Sequence, residues 1–272
     1  MTGRDARALA AIGRAYAGAL VFGLPMLMTM QMWQLGFYEN RLKLFLLTLL
    51  TVPLLVGVSR YAGFAETATW REDLRDACVA YVVGATTSAL VLLLFAIIGP
   101  ETTLDAVVGK VALQAMAASL GALLARGQLG RKGGEEEIRR REAGYAGELF
   151  LMAVGALFLS LNVAPTNEIE LLAYRMTPWH ALTLALGSML VMHGFVYAVQ
   201  FEGGTDLSPE TPWWSAALRF TVAGYALALL VSLYVLWTFG RTSGTAWAEV
   251  VRMMIVLGFP AAVGAAGARL II

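Results

Sequence analysis

The sequence predicts an all-α membrane protein in which eight transmembrane helices form two parallel four-helix repeats. The composition is strongly apolar, since hydrophobic residues make up 58% of the 272 residues and charged residues only 14%. These apolar residues occur in runs of about 20, the length that an α-helix needs to cross a bilayer. In addition, the two halves of the chain share residues at a nearly constant offset. The predicted spans lie near 15–38, 42–59, 77–99, 104–125, 144–163, 178–201, 213–239 and 246–270.

The internal repeat is clearest in the last span of each half. Residues 106–126 and 249–269 align without a gap at an offset of 143 and are identical at seven of 21 positions. At an offset of 144, the third and seventh spans also share a charged position, Arg75/Arg219. Four is an even number of spans, so both repeats enter the membrane in the same direction. The sequence therefore predicts a pseudo-two-fold axis along the membrane normal.

The repeat sets the predicted domain boundaries. The first four-helix repeat covers 1–126, a charged linker covers 127–143, and the second repeat covers 144–272. The linker contains both basic and acidic residues around Gly133 and Gly134. A charge run of this kind is typical of a solvated connector, and the alternative is a regulatory or partner-binding segment.

Small residues recur in the fourth and eighth spans at helical spacing. Ala118 and Gly121 match Ala261 and Gly264 in the repeat. Helices in lipid associate by close packing, which small residues permit. These two spans are therefore expected either to pack centrally or to form a subunit contact in a homo-oligomer.

The positions of the basic residues predict the orientation. Fourteen of the 20 Lys and Arg residues fall on the side that holds both termini, and the cytoplasmic side of a membrane protein carries the excess of these residues. Both termini are therefore predicted to be cytoplasmic. The single cysteine, Cys78, excludes an internal disulfide. A net charge of +1 and the lack of a basic stripe do not indicate nucleic-acid binding.

The first half contains two candidate polar residues and three predicted irregularities. Pro25 is expected to kink the first span and Pro53 to break the second. Residues 64–76 are too polar to span and predict a short cytoplasmic amphipathic helix. Gln31 either lines a polar vestibule or bonds a neighbouring helix. Gln114 follows Lys110 by one turn near the outer end of the fourth span.

The second half carries the ionisable candidates. Glu148 lies about a turn inside the fifth span, where an ionisable residue is a functional hypothesis; the alternative is that it reaches cytoplasmic water. Asn162 opens a polar stretch that includes a predicted short helix at its outer face. His180 follows Pro178 and a predicted Thr177 cap. His193 lies deeper, where it either relays protons or bonds a neighbouring helix.

Four segments resemble a bacterial family of integral membrane proteins whose function is not established. They are GLPMLMTMQMWQLGFY (23–38), RYAGFAETATWREDLRDA (60–77), NVAPTNEIELLAYRMTPWHA (162–181) and SLYVLWTFGR (232–241). The resemblance implies eight helices and a location in the bacterial cytoplasmic (inner) membrane. It transfers no catalytic or binding residue to this chain.

These patterns favour a channel or transporter for a small inorganic ion, either a cation or a proton, in contact with membrane lipids. The alternative is a non-transporting sensor or scaffold that acts through the linker and the 64–76 segment. An enzyme is not expected, because no catalytic signature or cofactor motif occurs and two histidines thirteen residues apart do not make a metal site. The candidate transport or gating residues are His193, Glu148, His180, Asn162, Gln31 and Gln114.

Overall fold

A computed structural model describes residues 3–62, 70–128, 135–199 and 217–271. All the regular structure in these ranges is helical. The α-helices are α1 (Gly3–Leu27), α2 (Met30–Tyr38), α3 (Arg41–Ala62), α4 (Trp70–Leu94), α5 (Leu104–Gln128), α6 (Glu135–Val163), α7 (Glu168–Arg175), α8 (Pro178–Val199), α9 (Ala223–Thr238) and α10 (Trp247–Ile271). A π-helical segment, Ala217–Val222, leads directly into α9.

Six of these helices are long and apolar enough to cross a membrane. Their spanning segments are Arg41–Arg60, Trp70–Leu94, Leu104–Leu124, Tyr145–Val163, Phe220–Thr238 and Trp247–Ala268. A seventh span is obtained if the bent pair α1 and α2 counts as one. The chain is thus an all-helical, multi-pass membrane protein, as predicted.

The kink that Pro25 predicts is confirmed, and it is a complete break. Helix α1 ends at Leu27, and α2 leaves at 83° to it after a two-residue gap. Two side chains capture carbonyl groups that the break releases. Thr29 Oγ1 donates to the Pro25 carbonyl at 2.6 Å, and Trp33 Nε1 donates to the Leu27 carbonyl at 2.7 Å. The predicted single helix over 15–38 is therefore corrected to two helices.

The other predicted break, at Pro53, is not found, because helix α3 runs through this residue. Helix α10 likewise runs through Pro260. A proline removes one backbone hydrogen bond, and helices in lipid tolerate this loss when local adjustments satisfy the freed carbonyl. The separate amphipathic helix predicted for 64–76 is also corrected, because 70–76 are the first turns of α4. Residues 64–69 lie outside the described ranges.

The chain divides into two compact units, 1–133 and 134–272. In the first unit, α5 is the central helix and packs against α1, α2, α3 and α4. The contact with α1 is close at Gly121, where an added Cβ would stand 2.5 Å from the carbonyl oxygen of Gly18. The small residues of α5 therefore let the backbones approach, as the sequence predicts for a central helix.

In the second unit, α10 holds the corresponding central place and packs against α6, α7, α8 and α9. Gly264 of α10 and Gly155 of α6 face each other so closely that a Cβ on either would overlap the other's carbonyl oxygen. The buried core beside this contact contains Met152, Met192 and Tyr225 together with alanines of α10.

Candidate functional site

The structure distributes the six candidate residues over both units. Gln31 and Gln114 belong to the first unit, and the other four belong to the second. Within the second unit, His193 contacts the π segment, Ala217–Val222. Tyr145, three residues before Glu148 on α6, contacts the same segment.

The π segment has a wider turn than an α-helix and occurs mostly where function requires a local distortion. It contacts α8 directly. Two adjacent residues of the segment meet different helices: Thr221 contacts α8, and Phe220 contacts α6.

His193 is half-buried in α8 and interacts with the π segment. Its Nδ1 atom lies 2.8 Å from the Oγ1 atom of Thr221. Either atom can donate, depending on which ring nitrogen carries the proton. The contact fixes the orientation of the imidazole ring, because the partner hydroxyl comes from a different helix.

Glu148 lies on α6 close to the point where this helix meets the π segment. The ring of Tyr145 packs edge-on against that of Phe220, with centroids 5.9 Å apart. Glu148 follows Tyr145 by three residues and therefore lies about one turn further along the same face of α6. Its side chain is half-buried. The π segment thus contacts His193 directly and meets α6 about one turn before Glu148.

Both ionisable groups lie at a similar depth. Glu148 precedes the end of α6 at Val163 by 15 residues, and His193 follows the start of α8 at Pro178 by 15 residues. At the rise of an α-helix, each is roughly 22 Å from the end of the unit at which α7 joins the two helices.

A tight apolar contact bounds the site one turn away. Met152 follows Glu148 by one turn, Met192 precedes His193, and both are fully buried. The two thioether side chains meet over Gly224 of α9, where an added Cβ would overlap the Met152 methyl and stand 3.2 Å from that of Met192. A closely packed apolar contact therefore lies one turn from Glu148 and beside His193 in the chain.

His180 has a local role at the start of α8. The exposed residue donates its backbone N–H to Thr177 Oγ1 at 3.4 Å, which is the predicted helix cap. Its Nδ1 atom lies 2.8 Å from the same hydroxyl. Thirteen residues separate His180 from His193 in the same helix. The two residues are therefore about 20 Å apart along the axis of α8.

Two candidate amides are only partly satisfied within the described residues. Gln114 is 0% exposed, and neither its Oε1 nor its Nε2 atom has a hydrogen-bond partner there. Asn162 donates through Nδ2 to the Phe158 carbonyl at 2.7 Å, whereas its buried Oδ1 has no such partner in the described ranges. Gln31 is half-buried on α2.

Sequence reasoning did not identify Arg241 as the residue that holds the α6–α7 turn. Its guanidinium donates to Glu170 Oε1 at 2.8 Å, to Asn167 Oδ1 at 3.2 Å and to the Pro165 carbonyl. The nearby carboxyl of Glu168 has a lowered pKa, chiefly because its own backbone N–H and the Thr166 hydroxyl donate to it, with a further contribution from the charge of Arg241.

A second missed residue is Asp73, at the start of α4. Its carboxyl is buried, with 3% exposure, and accepts a hydrogen bond from Ser59 Oγ at 3.4 Å. The polar segment around it predicts a short cytoplasmic amphipathic helix. Only the packing of α3 against α4 shows that this carboxyl faces inward.

Residues 11–272 match the family described as "Putative integral membrane protein (DUF2391)". The match covers nearly the whole chain, and the protein therefore belongs to this family of integral membrane proteins. Neither the curated proteins nor the solved structures contain a significant match.

Proposed function

We propose that this protein lets a small cation, in the first place the proton, cross the membrane through its second unit. The observation that carries the proposal is the position of two ionisable residues at a similar depth in the unit: His193 contacts the π segment, and Glu148 lies about one turn beyond the contact of Tyr145 with the same segment. Ionisable side chains within a membrane span are costly and commonly mark ion pathways or proton relays. Carboxyl and imidazole groups both bind and release protons.

The constriction formed by Met152 and Met192 is the proposed gate. Both side chains are fully buried and meet over Gly224. Methionine has three rotatable side-chain bonds and adapts to different packings. Rotation of these side chains would connect the polar pair with the Asn162 end of the unit while the helices keep their positions.

The proposed architecture has eight spans in two parallel repeats, with α2 and α7 as short helices outside the spans. The element bounds support it. Both α3 and α8 have 22 residues and start 137 apart, whereas α5 and α10 have 25 residues and start 143 apart. In this arrangement the spans are α1, α3, α4, α5, α6, α8, the π segment with α9, and α10.

A pair of equivalent tyrosines also supports the duplication. Tyr81 of α4 faces the hydroxyl of Thr48 on α3. Tyr225 of α9, its match at an offset of 144, lies near Ser188 on α8. In each repeat, a tyrosine of the third span thus lies near a hydroxyl side chain of the second span. With the excess of basic residues, this arrangement favours cytoplasmic termini in a bacterial inner membrane.

Proton flux into proteoliposomes tests the function. The purified protein is reconstituted with a pH-sensitive dye inside, and a potassium diffusion potential drives proton entry. We expect flux above that of empty vesicles, and a loss of at least about tenfold in His193→Ala and Glu148→Gln because each removes a proton-binding group. His180→Ala is the matched control and should retain the wild-type rate.

Two outcomes would count against the proposal. Wild-type flux equal to that of empty vesicles under both proton and potassium gradients would exclude it and favour the sensor or scaffold. Equal flux in wild type, His193→Ala and Glu148→Gln would remove these residues from the path. Correct folding of each variant is checked by its elution as a single species in detergent.

A further inference from the structure

Gln114 lies in the interior of the first unit with both of its amide atoms unpaired within the described residues. It is 0% exposed in α5. A buried polar group without a hydrogen-bond partner is destabilising, and native proteins commonly satisfy such groups with ordered molecules. This site is separate from the proposed proton path, because it belongs to the other unit.

The neighbours of Gln114 on α5 locate it opposite the break between α1 and α2. One turn towards the C-terminus, Ala118 faces Gly23 of α1, where an added Cβ would stand 3.2 Å from the Ala118 Cβ. One turn towards the N-terminus, Lys110 faces Gly36 of α2, where an added Cβ would stand 2.6 Å from the Lys110 Cα. Gln114 lies between them on the same helical face.

The backbone acceptors at this break already have donors. The carbonyls of Pro25 and Leu27 accept from Thr29 Oγ1 and Trp33 Nε1. Those of Leu24 and Met26 accept from the backbone N–H groups of Met28 and Thr29 at 2.9 and 3.1 Å. These four carbonyl groups therefore already have donors other than Gln114.

The chemistry of the amide selects the ligand. A cation would satisfy only Oε1, and the positively charged ammonium group of Lys110, one turn away, would repel that cation. An anion would satisfy only Nε2 and would approach the carbonyl oxygens at the end of α1. A molecule that both donates and accepts satisfies the two atoms together. The close helix contacts at Gly23 and Gly36 restrict its size.

We propose that the first unit binds water at Gln114, beneath the α1–α2 break, as an internal polar site. Water is the donor–acceptor molecule of the required size. Asn162 offers a comparable acceptor in the second unit, one residue before the end of α6. The Asn162 amide lies in the first span of the second repeat, whereas the Gln114 amide lies in the fourth span of the first repeat.

Hydroxyl-radical footprinting of the full-length protein in nanodiscs tests this site, because radicals generated from bound water oxidise adjacent side chains. Met26 and Met32 are the reporters. They are fully buried and lie on the same helical faces as Gly23 and Gly36. Met253 of α10 is the control, since it is 2% exposed and belongs neither to this site nor to the proposed gate.

We expect Met26 or Met32 to be oxidised at least about fivefold faster than Met253, with incorporation of oxygen from labelled water. Gln114→Leu and Gln114→Met should reduce that rate to the control level. Equal oxidation of all three methionines in the wild type would overturn the proposal, as would unchanged oxidation in both variants. Neither result depends on whether the protein conducts protons.

Discussion

The Nδ1 atom of His193 lies 2.8 Å from the Oγ1 atom of Thr221, and this contact joins α8 to the π segment. The two residues are 28 positions apart in the chain. The contact sets the ring orientation of the deepest histidine in the second unit. It also places an ionisable side chain against the irregular backbone of the π segment. This arrangement is expected where a helix is distorted for a functional purpose.

The coupling between His193 and Thr221 is measurable. We expect Thr221→Val and His193→Phe to be non-additive, with a coupling of about 0.6–1.5 kcal/mol, the range found for hydrogen bonds between membrane helices. The measurement is a double-mutant cycle of reversible unfolding in mixed micelles. Thr183→Val is the control, because that hydroxyl donates to the Trp179 carbonyl within α8 and should show no coupling to His193. Additive effects at 193 and 221 would contradict the interaction.

The sequence predicts best those features that depend on local chemistry. The short helix after Pro165, the start of α8 at Pro178 and the Thr177 cap are all found. Each depends on residues within a few positions of one another, so a single sequence contains the necessary information.

The prolines show where local reasoning fails. Pro25 breaks its helix, whereas α3 continues through Pro53. Each proline inside a helix lacks the same backbone N–H group. At Pro25 the difference is that Thr29 and Trp33 bind the released carbonyls and stabilise the turned chain. Whether such partners are in reach depends on tertiary structure, which periodicity does not specify.

The candidate site was predicted as separate residues and not as a constellation. Glu148 and His193 are identifiable because ionisable residues are rare in spans. The π segment, which contacts His193 and Tyr145, has no signal in the sequence. Similarly, the bond between Arg241 and Glu170 connects residues 71 positions apart. Helical periodicity indicates which face a residue occupies and does not indicate its partner.

The Met152–Gly224–Met192 contact predicts a specific sensitivity to size. Gly224→Ala should destabilise the protein by about 1–3 kcal/mol, because the new methyl group overlaps Met152 in a close-packed core. Gly187→Ala on α8 is the matched control, since nothing lies within 4 Å of its Cβ position, and it should be neutral or stabilising. Unfolding midpoints in mixed micelles measure both.

Met152→Ala combined with Gly224→Ala should recover part of the lost stability, because the shorter side chain makes room for the new methyl group. The proposed gate would lose its basis if Gly224→Ala were as neutral as Gly187→Ala.

The lowered pKa of Glu168 predicts how stability changes with pH. Its backbone N–H and the Thr166 hydroxyl favour the ionised carboxylate in the folded protein, and Arg241 adds to this effect. A folded pKa below the usual 4.5 means that the stabilising contribution is fully present above that value and is lost as the pH falls through the folded pKa. Glu168→Gln should therefore be less stable than wild type at neutral pH, and the difference should shrink as acid protonates the wild-type carboxyl.

When Thr166→Val is also present, Glu168→Gln should cost less stability at neutral pH, because one of the donors to the carboxylate is already gone. Unfolding midpoints compared between pH 7 and pH 3 measure this, and a difference that stays constant across that range would show that the carboxylate is not selectively stabilised by folding.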